Sequence, residues 1–194
     1  TEAHENPQTW KKRGLRTIIM YPMNALVSDQ IGRLRRLIGD PEDRFLEVFR
    51  KSCGYSSRRP QFGMYTGRTS YPGPEPRHND DVKLVRNLKA ITARETDQEK
   101  EYFDKLLSEG KIPAKTDMPA FIERLNRGQH IPDDDDAELI TRFEIQQFVP
   151  DILITNYSML EYMLFRPQEA KIWAETKRWL HKNKEHKLLF IIDE

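Results

Sequence analysis

The chain has 194 residues, 32 of them basic and 31 acidic, and its formal net charge is +1. Hydrophobic residues make up 37%, which allows a thin core, and no apolar run approaches the ~20 residues of a membrane span. The single cysteine, Cys53, excludes an internal disulfide and a thiolate metal cluster. These values predict a cytoplasmic protein with no membrane partner. They argue against a uniformly basic nucleic-acid binder but allow a local basic groove.

Apolar patterning predicts strands that alternate with helices. Short, unalternated apolar runs indicate buried strands, and apolar residues three or four apart indicate amphipathic helices. The predicted elements, in chain order, are a loop over 1–14, a strand over 15–21, a helix N-capped by Asn24 and closed by Gly39, a helix over 42–51, a strand over 61–65, a helical stretch over 80–109, a helix over 119–127, a helix over 137–148, a strand over 151–155, a helix broken by Pro167, a helix over 168–182 and a strand over 187–192. We interpret the acidic run 133–136 as a solvated loop that could cap the helix after it.

This order of elements predicts an α/β fold with a doubly wound parallel sheet. Three of the four predicted strands have continuous apolar cores, which is typical of strands covered on both faces. Residues 71–145 far exceed the dozen or so residues that a parallel crossover needs. We therefore predict a mostly helical, charged insertion over 71–145 that lies outside the sheet, within a domain formed by residues 1–70 and 146–194.

The strongest single feature is the last apolar strand, which is followed directly by Asp193 and Glu194. Open α/β sheets bind their ligands at the carboxyl ends of the strands. The first acid of such a pair can hold Mg²⁺ through water, and the second can orient and deprotonate an attacking water. Alone the pair is weak support for a site, since strands often end in acidic residues simply because loops are polar.

Four segments that follow the predicted strands resemble motifs Ia, Ib, Ic and II of superfamily-two DEAD/DEAH-type helicases. In that order they are Tyr21–Gln30, Thr66–Arg68, Thr155–Leu160 and Asp193–Glu194. The stretch Pro150–Leu160 is the most specific, and it is similar to large bacterial helicases that include the Lhr-like and defence-associated groups. The resemblance covers residues 15–70 and 138–194. It implies a partial RecA-like, P-loop NTPase domain.

The resemblance also implies a role for each matched residue. The residues that would line the track of one nucleic-acid strand are Pro22, Asn24, Thr66, Gly67, Arg68, Thr155, Asn156 and Tyr157. Among them, Arg68 is a charge-assisted donor for phosphate and Tyr157 offers a stacking face. Asp193 would hold Mg²⁺ through water, and Glu194 would be the catalytic base.

The function implied by the resemblance is that of the motor of an ATP-dependent helicase or translocase. Its cofactors would be ATP and Mg²⁺. Its partners would be nucleic acid, with DNA favoured over RNA, and the remainder of a helicase chain, including a second RecA-like domain. The 194 residues contain no Gly-rich phosphate loop ending in Gly-Lys-Thr or Gly-Lys-Ser, so we expect the chain alone to be inactive as an ATPase.

Two further features leave alternatives open. The whole chain could instead be a nucleic-acid-binding or scaffold segment with a degenerate helicase fold that never hydrolyses ATP. On the first long helix, the polar face carries Arg33, Arg35 and Arg36, which suit either a nucleic-acid patch or an ordinary solvent-facing side. The five histidines lack the spacing of metal ligands, so the sequence predicts no metal other than Mg²⁺.

Overall fold

A computed structural model describes residues 2–22, 24–54, 57–70 and 78–193, without the side chains of 24, 25 and 78–80. The strands are β1 (Thr17–Tyr21), β2 (Phe62–Tyr65), β3 (Glu138–Leu139), β4 (Ile152–Asn156) and β5 (Leu189–Ile192). The helices are α1 (Glu2–Glu5), α2 (Pro7–Trp10), α3 (Asn24–Leu37), α4 (Arg44–Cys53), α5 (His78–Thr92), α6 (Asp97–Ser108), α7 (Met118–Asn126), α8 (Arg142–Phe148), α9 (Tyr157–Phe165) and α10 (Ala170–Leu180), with a 3-10 turn over Pro167–Glu169. None of the described helices is long and apolar enough to cross a membrane.

The described strands form one all-parallel sheet in the order β3-β2-β4-β1-β5. Ile18 of β1 lies opposite Leu153 of β4 and Phe190 of β5, so the three strands share one register. The predicted α/β fold with a parallel sheet is confirmed. The architecture is compatible with a partial RecA-like, doubly wound fold.

Helices cover both faces of the sheet, which explains the continuous apolar runs of β1 and β4. On one face, Ile18 and Leu153 pack with Met163 of α9 and Ile172 of α10. The opposite face is covered by α3, whose inward-facing side chains pack with Ile154. Each face therefore has its own core, and the carboxyl ends of the strands are left at one edge.

The sheet includes a strand from the predicted insertion. Glu138 of β3 lies opposite Phe62 of β2, so the prediction that all of residues 71–145 lie outside the sheet is wrong. The predicted helix over 137–148 is likewise replaced by β3 and the shorter α8. A capping box, in which the Thr141 and Glu144 side chains bond each other's backbone N–H, starts the helix at residue 142. The acidic run therefore does not cap it.

Three other elements differ from the sequence prediction. The predicted loop over 1–14 contains α1 and α2, and Trp10 of α2 is buried. The helical stretch over 80–109 is split into α5 and α6, because Thr96 and Glu99 form a second capping box. Strand β5 is exposed rather than buried: its four side chains are 43 to 66% exposed, since β1 is its one neighbour in the described sheet.

Buried ion pairs join the connection between α6 and α7, and helix α3, to β3 and the segments on either side of it. The Lys115 ammonium, fully buried, lies 3.0 Å from an oxygen of Asp136 and 2.5 Å from an oxygen of Glu144. Arg35 of α3 donates two hydrogen bonds of 2.7 Å to Glu138 of β3. All three carboxylates are nearly inaccessible to solvent, so removal of a cationic partner would leave a buried charge uncompensated.

A further buried carboxylate, Asp151, closes the amino edge of the sheet, where the strands begin. Arg58 donates two hydrogen bonds of 2.7 Å to it, and Arg16 lies 3.0 Å away. The backbone N–H of Gln61 donates a third, at 2.9 Å. Burial favours the neutral acid, but the charges of Arg58 and Arg16 and these hydrogen bonds outweigh it and hold the pKa of Asp151 below its usual value.

We expect the stability that Asp151 contributes to be lost in acid. Its pKa is lower in the folded state, so the unfolded chain binds a proton first as the pH falls. The contribution is complete above the unfolded pKa of about 3.9 and disappears as the pH falls through the folded value. Urea unfolding followed by pulse proteolysis, from pH 7 to pH 3, should show the stability difference between wild type and Asp151→Asn shrinking in acid. A difference that stays constant with pH would contradict this.

Candidate nucleic-acid interface

The four motif-like segments lie side by side at the carboxyl edge of the sheet. Tyr21, the last residue of β1, is opposite Asn156 of β4, and Tyr65, the last residue of β2, is opposite Thr155. On the other side of β1, Met20 is opposite Ile192, the last residue of β5. The segments that follow β2, β4, β1 and β5 therefore succeed one another along this edge.

The segment after β2 is a tight turn built by threonines. The hydroxyl of Thr69 accepts from the Thr66 N–H at 2.9 Å and donates to the Met64 carbonyl at 2.7 Å. The Thr66 hydroxyl accepts from the Arg68 N–H at 3.2 Å, and its side chain is fully buried. Gly67 and Arg68 are exposed. The turn therefore hides its threonines and presents Gly67 and the Arg68 guanidinium to solvent.

Of the three predicted site residues in the segment at the end of β4, two have structural roles and one is exposed. The Thr155 hydroxyl, fully buried, donates to the Tyr65 carbonyl at 2.7 Å and so ties β4 to β2. The Asn156 side-chain oxygen caps α9 by accepting from the Met159 N–H at 2.8 Å. Tyr157 is 72% exposed. The aromatic ring of Tyr157 is therefore available for stacking on a base.

The segment after β1 is described in part. Pro22 directly follows the strand and is exposed. Asn24 is the first residue of α3 rather than the residue before it, while Met23 and the Asn24 side chain lie outside the described residues. The backbone nevertheless places the start of α3 at the same edge as the other segments.

The segment after β5 begins with Asp193, which is exposed. Its backbone N–H donates to the Met20 carbonyl at 3.0 Å and so extends the pairing of β5 with β1. Burial raises the pKa of Tyr21, and the negative charge of Asp193 raises it further. Glu194, the predicted base, lies outside the described residues.

The three arginines of α3 do not form one patch. Arg33 pairs with Asp29 on the same helix at 3.0 Å, and both side chains are largely exposed. Arg35 points into the insertion and binds Glu138, while Arg36 is exposed. The exposed positions of Arg33 and Arg36 suit both interpretations offered by the sequence, whereas the buried ion pair of Arg35 suits neither.

Sequence reasoning missed a buried polar network under the Thr66 turn. The Tyr65 hydroxyl donates to Glu169 at 2.5 Å and accepts from the Gln146 side chain at 2.8 Å. Burial and the Glu169 carboxylate together raise the pKa of Tyr65, so the hydroxyl stays protonated as the donor. Arg142 donates to the Thr66 carbonyl at 2.8 Å. The capping box at Thr141 could be recognised in the sequence, but it did not reveal that the arginine beside it is buried.

A cleft of about 960 Å³ lies near the opposite edge of the sheet, between the end of α3 and the insertion helices. Its walls carry both signs of charge, including Arg36 and Arg94 on one hand and Asp40 and Asp104 on the other. This mixture favours no particular ligand, and the cleft lies away from the four motif-like segments.

Comparison with known proteins gives one informative match. The chain is 37% identical to Druantia protein DruE of Escherichia coli (strain UMEA 4076-1), over 213 aligned residues. The match covers all of this chain but 11% of that protein, so the chain spans a small part of the relative's length. No protein-family model and no solved structure matches the chain.

Proposed function

We propose that this chain is part of the motor of an ATP-dependent nucleic-acid helicase or translocase in a longer protein. The observation that carries the proposal is the register of the sheet, which puts the four motif-like segments next to one another at one edge. Such an edge is where open α/β sheets bind ligands. The match to Druantia protein DruE supports assigning the chain to the defence-associated group of the large bacterial helicases that its sequence resembles.

In the proposed interface, the exposed and the buried residues act differently. Arg68 would donate to a backbone phosphate, and the Tyr157 ring would stack on a base. The buried Thr66 and Thr155 side chains would hold the backbone beneath them in position. Contacts of this kind grip a strand without reading its sequence, as a translocating motor requires. We favour DNA over RNA as the strand.

ATP and Mg²⁺ would be the cofactors of this motor. Asp193 fits the metal, because an exposed carboxylate is a hard oxygen donor and Mg²⁺ is usually held by one or two carboxylates plus substrate phosphates. Glu194, the next residue, would deprotonate the attacking water. The phosphate loop is not among these 194 residues, so another part of the longer protein, with the second RecA-like domain, would hold the ATP phosphates.

We expect Arg68→Ala in the full-length protein to weaken single-strand binding equally for all sequences. Loss of one exposed phosphate contact should reduce affinity roughly three- to tenfold at low salt. It should also lower the slope of log affinity against log salt by about 0.7, the value for one contact on a single strand. Fluorescence anisotropy with labelled oligonucleotides of two compositions, over a salt series, measures both quantities.

Arg36→Ala is the matched control for this experiment. Arg36 is also an exposed arginine, but it lies in the last turn of α3, near the opposite edge of the sheet. We expect this variant to bind with the wild-type affinity and salt slope. If Arg68→Ala behaves like Arg36→Ala, Arg68 is an ordinary surface residue and the interface is wrongly assigned.

The second candidate function is a nucleic-acid-binding or scaffold segment that never hydrolyses ATP. The observation behind it is that the exposed groups described at this edge, Arg68 and Tyr157, suit strand binding and need no ATP. Both candidates use the same strand-binding edge, so Arg68→Ala does not separate them. A Gly-Lys-Thr loop earlier in the longer protein and a Ser-Ala-Thr segment after Glu194 would favour the motor, and degenerate versions would favour the scaffold.

A further inference from the structure

We propose that Arg142 is a positioning residue for the Thr66–Ser70 turn and couples the insertion to the candidate strand-binding edge. The inference rests on the proposed function, which makes this turn part of a nucleic-acid interface. Nothing in the motif resemblance assigns a role to Arg142. Its place in the fold does, since it stands where the insertion returns to the sheet.

Two adjacent residues hold both ends of the turn. A guanidinium nitrogen of Arg142 donates to the Thr66 carbonyl at 2.8 Å, and the Arg142 backbone N–H donates to the Ser70 carbonyl at 3.2 Å. Ser70 also forms a parallel bridge with Thr141. The backbone that carries Arg68 is therefore fixed at its start and at its end by one short segment.

The burial of Arg142 is unusual for the first residue of a helix, where an arginine is ordinarily solvated. The residue is 3% exposed, and its Nε has no hydrogen-bond partner among the described residues. The compensation comes from the Thr66 carbonyl, from the Tyr65 ring 5.2 Å below the guanidinium, and from the charge of Glu169. Because the buried guanidinium needs the Thr66 carbonyl as an acceptor, its position fixes the direction of that carbonyl.

The same segment is joined to the helical part of the insertion, at the connection between α6 and α7. Glu144, two residues after Arg142, accepts from the buried ammonium of Lys115 at 2.5 Å. Lys115 lies in the connection between α6 and α7, and its ammonium is 4.2 Å from the ring centroid of Phe121 in α7. A displacement of the insertion helices would thus move the start of α8 and, through Arg142, the turn that presents Arg68.

The test is a double-mutant cycle in the full-length protein with Arg142→Met, Arg68→Ala and both together. We expect Arg142→Met to speed amide hydrogen exchange in residues 66–70 and to lower single-strand affinity and salt slope about as far as Arg68→Ala does. Because Arg142 acts through Arg68, the double variant should bind no more weakly than Arg68→Ala alone. Arg142→Lys should recover part of the affinity, and it replaces Arg142→Met in the cycle if that variant does not fold.

Arg59→Met is the matched control. Arg59 is 4% exposed and donates to the Ile38 carbonyl at 2.7 Å, but it lies at the amino edge of the sheet. Its loss should reduce stability and leave the salt slope unchanged. Unchanged exchange in residues 66–70, or an additive double variant, overturns the inference. If Arg68→Ala weakens binding and Arg142→Met does not, this inference alone is wrong. If Arg68→Ala has no effect, the strand-binding edge in the proposed function is wrongly assigned.

Discussion

Glu194→Gln should stop ATP hydrolysis by the full-length protein while leaving ATP binding and single-strand binding intact. Glutamine keeps the size of the side chain and its ability to orient water, but it cannot accept the proton. Loss of a general base of this kind lowers turnover by roughly 10²- to 10⁴-fold. The measurements are steady-state ATPase rates with and without single-stranded DNA, together with the affinity for both ligands.

The matched control is Glu185→Gln, the same substitution at an exposed residue in the turn that precedes β5. We expect this variant to hydrolyse ATP at the wild-type rate. Wild-type turnover in Glu194→Gln would mean that the acid pair after β5 is not catalytic. A wild-type protein that binds single strands but shows no hydrolysis above Glu194→Gln would instead establish the scaffold alternative.

The sheet could be predicted from the sequence because its central strands carry their own signals. β1 and β4 are short apolar runs bounded by Pro22 and Pro150, and helices cover both of their faces. β3 carries no such signal, since it has two residues and one of them is Glu138. Its extended form depends on pairing with β2 and on the ion pair with Arg35, which are 76 and 103 residues distant. Contacts so far apart in sequence leave no local pattern.

The candidate site was predictable in position but not in the orientation of its side chains. A strand end followed by Thr66 or Thr155 indicates the edge, yet both side chains are fully buried and bond neighbouring backbone. Asn156 has the residue type of a helix cap, and the structure uses it as one. The burial of Arg142 could not be predicted from the local sequence. The ring that stabilises it belongs to Tyr65 in β2, and the carbonyl belongs to Thr66, the next residue.

Lys115→Met should destabilise the docking of the insertion by about 3–5 kcal/mol, the usual result of leaving buried charges without their partner. Methionine nearly matches lysine in length but removes the ammonium, and Asp136 and Glu144 then face each other's charge in a site closed to water. Local opening of residues 112–148 should become more frequent by roughly 10²- to 10⁴-fold. Native-state hydrogen exchange of the full-length protein, followed by mass spectrometry, measures this change.

Lys100→Met is the matched control, because it removes a lysine whose charge is exposed rather than buried. Lys100 pairs with Asp97 on the surface of α6 at 3.0 Å, and both side chains are largely exposed. Since exposed pairs contribute about 0–1 kcal/mol, this variant should exchange almost like wild type. In the double variant Lys115→Met/Glu144→Gln, one of the two uncompensated charges is gone, so part of the protection should return. Equal exchange in Lys115→Met and Lys100→Met would show that the buried ion pairs do not hold the insertion to the sheet.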